Sequence, residues 1–291
     1  MMDASEAYPL DWRARSRMRR RLRRTALGRA AGRATDLLLS ARQRALGIGR
    51  ELDAEAAEGP RRDVLVLGIY GEQPGAMETA LRRLRESGHS VRAALGALGP
   101  ASPALEAETV LTEMDGGKFA NLNRVAETAG PRAADWVLLI DDDVTLGRGF
   151  LDRLVLLAER FRLTLAQPAL SRASYGWWNV NRRRAALVRE TRFVEIGPVV
   201  MISREAYRVL APFPAEGMGW GLCLHWAAVA EREGWRLGVV DAVPVRHESR
   251  PTASALDHGA ARAAAERLLA AREHVTYIEA EQELARHRSL S

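Results

Sequence analysis

From residue 63 onward, short apolar runs alternate with stretches of helical period. Positions 63–70 and 136–140 are almost wholly apolar, too short for ordinary helices and lacking the alternation of a strand with one wet face. They read as strands buried on both faces, as in a parallel α/β sheet. Weaker strand signals follow at 90–95, 109–112, 163–168 and 198–202, and a last one at 236–240. Helical patterns fall between them. Positions 76–87 place Met77, Leu81 and Leu84 on one face and end at Gly88, glycine being favoured just past a helix. Further helices are predicted from Lys118 to about Ala126, and over 150–161, 204–210 and 222–234. Residues 260–287 read as a C-terminal helix with a break near Thr276-Tyr277. This alternation predicts an α/β fold: a mostly parallel sheet flanked by helices.

Residues 11–57 lack proline and are rich in Arg, Ala and Leu, which predicts two helical pieces with breaks at Gly28 and Gly32. Gly59-Pro60-Arg61-Arg62 reads as a linker. The expected organisation is a basic helical extension (1–60), a central domain (61–250) and a C-terminal helical segment (251–291). The 291 residues are 47% apolar and suffice for a large core. Cys223 is the one cysteine, so no intramolecular disulfide forms. No run approaches the roughly 20 apolar residues of a membrane span, and the start lacks the apolar core of a secretory signal. A cytoplasmic protein is expected.

Charge is unevenly spread. The chain is +6, yet residues 1–50 hold 13 arginines against four acids, a balance of +9 that leaves −3 for the remainder. The basic character therefore belongs to the extension. A basic amphipathic helix suggests an anionic membrane surface contacted through residues 11–50, at the inner face of the membrane. The alternatives are a nucleic-acid contact, which is not the expected partner, a cover over the central domain, or a solvated helix.

The strongest chemical signal is Asp141-Asp142-Asp143, directly after the apolar run that starts at Trp136. Ligands of open α/β sheets bind beyond the carboxyl ends of the strands. Three adjacent carboxylates repel one another unless a cation or solvent screens them, and carboxylate oxygens suit Mg²⁺ or Mn²⁺. Alternate side chains of an extended chain face the same way, so Asp141 and Asp143 could share a metal while Asp142 points elsewhere. The plain alternative is a solvated acidic turn. Lys118, after two glycines at a helix start, could reach a phosphate or simply begin the helix. Trp177 and Trp178 offer flat faces of the kind sugars pack against, or fill a core corner. Glu195, inside an apolar stretch, is a surface carboxylate at a strand edge or an acid whose pKa is raised by burial.

Taken together, an α/β half ending in an acidic triplet, an aromatic loop and a late histidine resembles the GT-A glycosyltransferases, family 2 in particular. The resemblance covers about residues 63–250 and is most specific over 136–143, the place of an Asp-x-Asp motif. Gly117-Lys118-Phe119-Ala120-Asn121-Leu122-Asn123 is similar to the segment ahead of that motif, and Gly219-Trp220-Gly221-Leu222 resembles the acceptor-side motif. The resemblance implies a metal-dependent glycosyltransferase that takes a nucleotide-sugar donor and a saccharide or lipid-linked hydroxyl acceptor. It implies Mn²⁺ or Mg²⁺ on Asp141 and Asp143, with His247 as third ligand. Asp142 and Trp220 fall on the substrate side, Tyr70 and Glu72 at the nucleoside, and Asn123 is placed to order the metal loop. The pattern departs from the family at one position. Where an acidic general base normally follows Gly-Trp-Gly-Leu, this chain has Cys223. Glu216, His225 or Glu195 would then take the proton. Two other readings remain: a catalytically degenerate binding protein that uses its arginine arm, and a nucleotidyltransferase-like enzyme, against which stands the acidic turn Gly68-Ile69-Tyr70-Gly71-Glu72.

Overall fold

A computed structural model describes residues 25–130, 133–248 and 258–290. One sheet organises them, with strand order β10-β7-β9-β6-β8-β4-β1-β2-β3. In chain order the strands are β1 (Asp63–Tyr70), β2 (Ser90–Ala97), β3 (Thr109–Leu111), β4 (Trp136–Asp141), β5 (Val144–Thr145), β6 (Leu165–Leu170), β7 (Val188–Thr191), β8 (Val199–Ser203), β9 (Leu237–His247) and β10 (Glu283–His287). β3, β2, β1 and β4 are mutually parallel, as are β6 and β9. Along that order only β8 and β7 run against the other strands. The short β5 stands off the path and pairs antiparallel with the end of β9.

The helices are α1 (Ala26–Ala45), α2 (Ile48–Glu58), α3 (Gly75–Arg85), α4 (Lys118–Ala129), α5 (Phe150–Arg160), α6 (Arg204–Leu210), α7 (Leu222–Glu233), α8 (His258–Ala271) and the one-turn α9 (Tyr277–Ala280). Strand residues alternate between two cores, as the pleat requires. Leu65, Leu67, Val137 and Leu139 face α4, α6 and α7, with Phe119, Tyr207 and Trp226 among their partners. Val64, Val66, Leu138 and Ile140 face α3 and α5, where Met77, Leu81, Leu84, Phe150 and Leu154 are all buried. A central strand buried on both faces has no reason to alternate in hydropathy, which is why β1 and β4 read as continuous apolar runs.

The structure corrects three sequence expectations. The expected break near Thr276-Tyr277 is present, but the chain beyond it does not continue as helix to His287. Thr276 and Glu279 form a capping box that starts a single turn, and Glu281 then accepts the N–H groups of Asn179 and Val180. The chain continues as β10, antiparallel to β7. Good helix formers are overridden here by an open sheet edge. This strand also carries the C-terminal segment into the same sheet as residues 63–247. Second, the break in the extension lies at Leu46-Gly47, not at Gly28 or Gly32, both of which sit inside α1. The part of the extension before residue 25 lies outside the described residues. Third, the last strand does not stop at Val240. It runs to His247 through the buried Asp241, an interruption that disguised it. β7 has no counterpart in the sequence reading.

Candidate functional site

Asp141 is the last residue of β4, and its backbone N–H donates to the Pro198 carbonyl at 2.8 Å. Three residues on, β5 pairs Val144 with His247 and Thr145 with Arg246. That short ladder carries the end of β9 back beside the acidic turn, and Glu248 N–H donates to the Asp143 carbonyl at 3.0 Å. The result is a cluster in which one ligand atom each from Asp141, Asp143 and His247 lies within 4.8 Å of the others. His247 Nε2 is 3.2 Å from Asp143 Oδ1, and Lys118 Nζ donates to Asp141 Oδ1 at 2.5 Å. His247 sits at a strand end rather than in the free loop suggested by sequence. Asp142 turns the other way, as the alternation requires, and accepts the Gly71 N–H at 2.9 Å. This bond ties the turn after β1 to the turn after β4.

The charges are balanced within the cluster. Burial pulls the His247 pKa down, but the hydrogen bond and charge of Asp143, with Asp141 and Glu195 behind it, outweigh burial and leave it raised. His247 Nδ1 is buried without a hydrogen-bond partner among the described residues. Two carboxylate oxygens and an imidazole nitrogen within this span fit a divalent cation. The mixed donor set suits Mn²⁺ better than Mg²⁺, which prefers oxygen alone.

Glu195 faces the same cluster. Its backbone N–H donates to Gln167 Oε1 at 2.7 Å, and its Oε2 accepts from Asn181 Nδ2 at 3.0 Å. Burial lifts its pKa from 4.5 to about 7, against the Asn181 hydrogen bond and the positive charge of His247, Arg182 and Lys118. Cys223 is buried beside it; burial, then the Glu195 charge, push the thiol upward and keep it neutral. Gly197 completes the wall. A Cβ there would lie 2.9 Å from Lys118 Nζ and 3.0 Å from Asp141 Oδ2. The loop before α7 closes against the start of α4, since a Cβ on Gly117 would overlap the Gly217 carbonyl.

Several expected site residues are placed elsewhere. Tyr70 is buried, bonds Thr109 Oγ1 at 2.8 Å and accepts the Ser102 N–H at 3.0 Å. It is a core residue and offers no exposed face to a nucleoside. Asn123 does not touch the metal loop; it bonds both the N–H and the carbonyl of Phe213, at 2.9 and 2.7 Å. Trp178 is buried, stacked on Tyr277 at 5.3 Å between ring centroids. Glu216 and His225 line a different recess of about 650 Å³, with Arg232 and Arg272, and no residue of the cluster lines it. There Glu216 lies 3.9 Å from Arg272, and burial with Arg272, Arg232 and His274 depresses His225 to about 4. Glu72, Trp177 and Trp220 are exposed, Glu72 one residue past the Gly71–Asp142 contact. Gln167, Asn181 and Gly197 were missed by sequence. Nothing in their local pattern marks them, because each acts through a contact distant in the chain.

No protein-family model matches the chain, and no curated protein matches it. Among solved structures, GalNAc-T7 with UDP, GalNAc and Mn²⁺ is similar at 12% identity and a TM-score of 0.49, over 65% of this chain and 44% of that one. The mannosyltransferase PcManGT from Pyrobaculum calidifontis, with GDP-Man and Mn²⁺, matches at 17% identity and a TM-score of 0.47, over 72% and 67%. S. aureus TarS with UDP-GlcNAc matches at 10% identity and a TM-score of 0.47, over 65% and 59%. The chain thus spans less than two thirds of GalNAc-T7 and of the TarS fragment. Likeness this distant assigns no activity.

Proposed function

We propose that this chain is a metal-dependent glycosyltransferase of GT-A type, moving a sugar from a nucleotide-sugar to a hydroxyl of a saccharide or lipid-linked acceptor. The observation that carries the reading is the Asp141–Asp143–His247 cluster beyond the carboxyl ends of the parallel strands, with Lys118 and Glu195 facing it. A divalent cation held there would supply Lewis acidity to a departing diphosphate. Lys118 adds a positive charge at the same edge, paired with Asp141. Glu195 is the proton acceptor in this reading. With its pKa near 7, a substantial fraction is ionised at neutral pH, the balance a general base needs. Trp177 and Trp220 are 45% and 39% exposed, and indoles of this kind suit the apolar side of a sugar ring.

Cys223 supports a second reading, a degenerate protein that binds the donor without transferring it. One experiment addresses both. UDP, GDP and dTDP are titrated calorimetrically with and without Mn²⁺, against the chain and an Asp141→Ala/Asp143→Ala variant, and hydrolysis of the corresponding sugar nucleotides is followed. Metal-dependent binding lost in the variant is the expected result. Binding without any turnover would leave the degenerate reading, and no binding of any nucleotide would defeat the proposal.

A further inference from the structure

Helix α1 is mounted inside out. Its inward face carries Gly32, Asp36, Ser40 and Gln43, and hydrogen bonds with Arg183 and Ala173 hold it to the body. Arg183 donates from Nη1 to the Asp36 carbonyl at 3.2 Å and to Ser40 Oγ at 2.8 Å, and from Nη2 to Gln43 Oε1 at 2.6 Å. Asp36 Oδ2 accepts the Ala173 N–H at 3.3 Å. A side chain at position 32 would press on the Arg172 backbone, 3.0 Å from an added Cβ. No residue of α1 is buried. Three of its four leucines point away: Leu27 is 81% exposed, Leu37 67% and Leu38 71%, while the half-buried Leu39 sits at the margin beside Ala185 and Leu187. At 100° per residue, Leu27, Ala34, Leu38, Ala41 and Ala45 form one outward stripe with Leu37 beside it. Arg33 and Arg44 flank one edge and Arg42 the other, while Asp36, the helix's one acid, faces in.

A helix that packs on a globular body normally does the reverse, turning leucine in and polar residues out. Here folding gains little from these leucines, so another surface must be their partner. The charge identifies its chemistry. The arginines on the rim are joined in sequence by eight more between positions 13 and 24, and the next acids come after the break at Gly47, on α2. The geometry points to α1 as an in-plane anchor on an anionic bilayer, with Leu27, Leu37 and Leu38 entering the acyl boundary and Arg33, Arg42 and Arg44 among the headgroups. No helix among the described residues is long and apolar enough to cross a membrane, and a contact of this kind needs none. Nucleic acid would engage the arginines and leave the leucines in water, so the bilayer is the better fit. The inference does not depend on the reaction assigned to the metal cluster.

The test uses the full chain and vesicles of phosphatidylcholine, with or without phosphatidylglycerol, sedimented over a range of salt. The protein is expected to follow the anionic vesicles only. Replacing Leu27, Leu37 and Leu38 together by Ser should weaken that binding at least tenfold, since buried apolar area sets the strength of such contacts. Arg33→Gln, Arg42→Gln and Arg44→Gln should each cost roughly fivefold. A polarity-sensitive dye on Leu38→Cys should shift to the blue on anionic vesicles; Cys223 is buried and leaves the label specific. An unchanged urea midpoint in these variants shows that the fold is intact. Full vesicle binding by the serine variant, no vesicle binding at all, or leucine-independent binding to duplex DNA in its place would each overturn the proposal.

Discussion

Glu195 is where burial and chemistry meet most directly. A carboxyl whose folded pKa is about 7 holds a proton that the unfolded chain releases near 4.5. Between those values the folded state binds the extra proton, so stability falls as pH rises through the window and stays lower above it. Glu195→Gln should therefore raise stability above pH 7, by on the order of 2 kcal/mol, measured by urea unfolding at pH 5 and pH 8. The same change should cut kcat by roughly 10²–10³-fold while leaving nucleotide binding intact. The wild-type rate should show an acid limb near pH 7, shifted down by positive charge added at the cluster. Cys223→Ala should keep most of the activity, because a neutral buried thiol takes no proton. Equal losses in both variants would remove Glu195 from the role. At Gly197, alanine would push on the ends of two side chains and not on backbone, so folding should survive. What should suffer is the pose of Asp141, with Mn²⁺ affinity down about tenfold by calorimetry, the scale of a disturbed metal-supporting contact. Of these residues, sequence revealed those whose type is anomalous for their surroundings: an acidic triplet after an apolar run, a glutamate in an apolar stretch. Gly197, Gln167 and Asn181 are ordinary residues made important by partners far along the chain.

At the scale of elements, what was legible is what local pattern governs. β1, β4, α3, α5, α6 and α7 were all visible, because a strand buried on both faces and an amphipathic helix each impose a period on their own sequence. The end of β9 was not, and it decides the site, since β5 pairs with it and brings His247 to Asp143. The strand is interrupted by Asp241, which is fully buried together with Arg189 on β7. Arg189 Nε donates to Asp241 Oδ2 at 2.6 Å, Nη1 to the Val180 carbonyl at 2.6 Å, and Arg184 N–H to Asp241 Oδ1 at 2.6 Å. A buried pair of this kind adds little over an apolar pair, but breaking it strands a charge. Arg189→Leu should cost about 3–5 kcal/mol, read as a lowered urea midpoint at unchanged slope. Asp241 is already raised by burial against the pull of Arg189, so lower pH should recover part of the loss by neutralising it. Neither residue announces this from sequence, since an isolated Arg and an isolated Asp 52 positions apart are each read as surface.

For the whole molecule, one loop joins the two features that matter. Arg172, Ala173 and Arg183 carry α1, and between them Ser174 Oγ accepts the His247 N–H at 3.1 Å while Tyr175 lies edge-on to the His247 ring. Arg182 closes the loop on itself, donating to the Ser171, Ser174 and Gly176 carbonyls. Helix α1 and the metal cluster thus both rest on a single braced segment, which would hold the cluster at a fixed height over a bilayer. The extension has two parts of different kinds. α2 buries Leu52 in the core and ties Asp53 to Arg153 at 2.6 Å, whereas α1 buries nothing. Truncation after residue 46 should therefore spare the fold, costing about 1 kcal/mol, or roughly 2–4 °C in Tm, for the Arg183 bonds passed to water. Truncation after residue 58 should cost several times more through exposure of Leu52 and its neighbours. In the shorter truncation, Mn²⁺-dependent nucleotide binding should stay within about twofold of the full chain, while turnover of an acceptor embedded in anionic vesicles falls and turnover of a soluble one does not. Both rates falling together would mean that α1 braces the catalytic loop, and its leucines would then have to be explained by catalysis and not by a membrane.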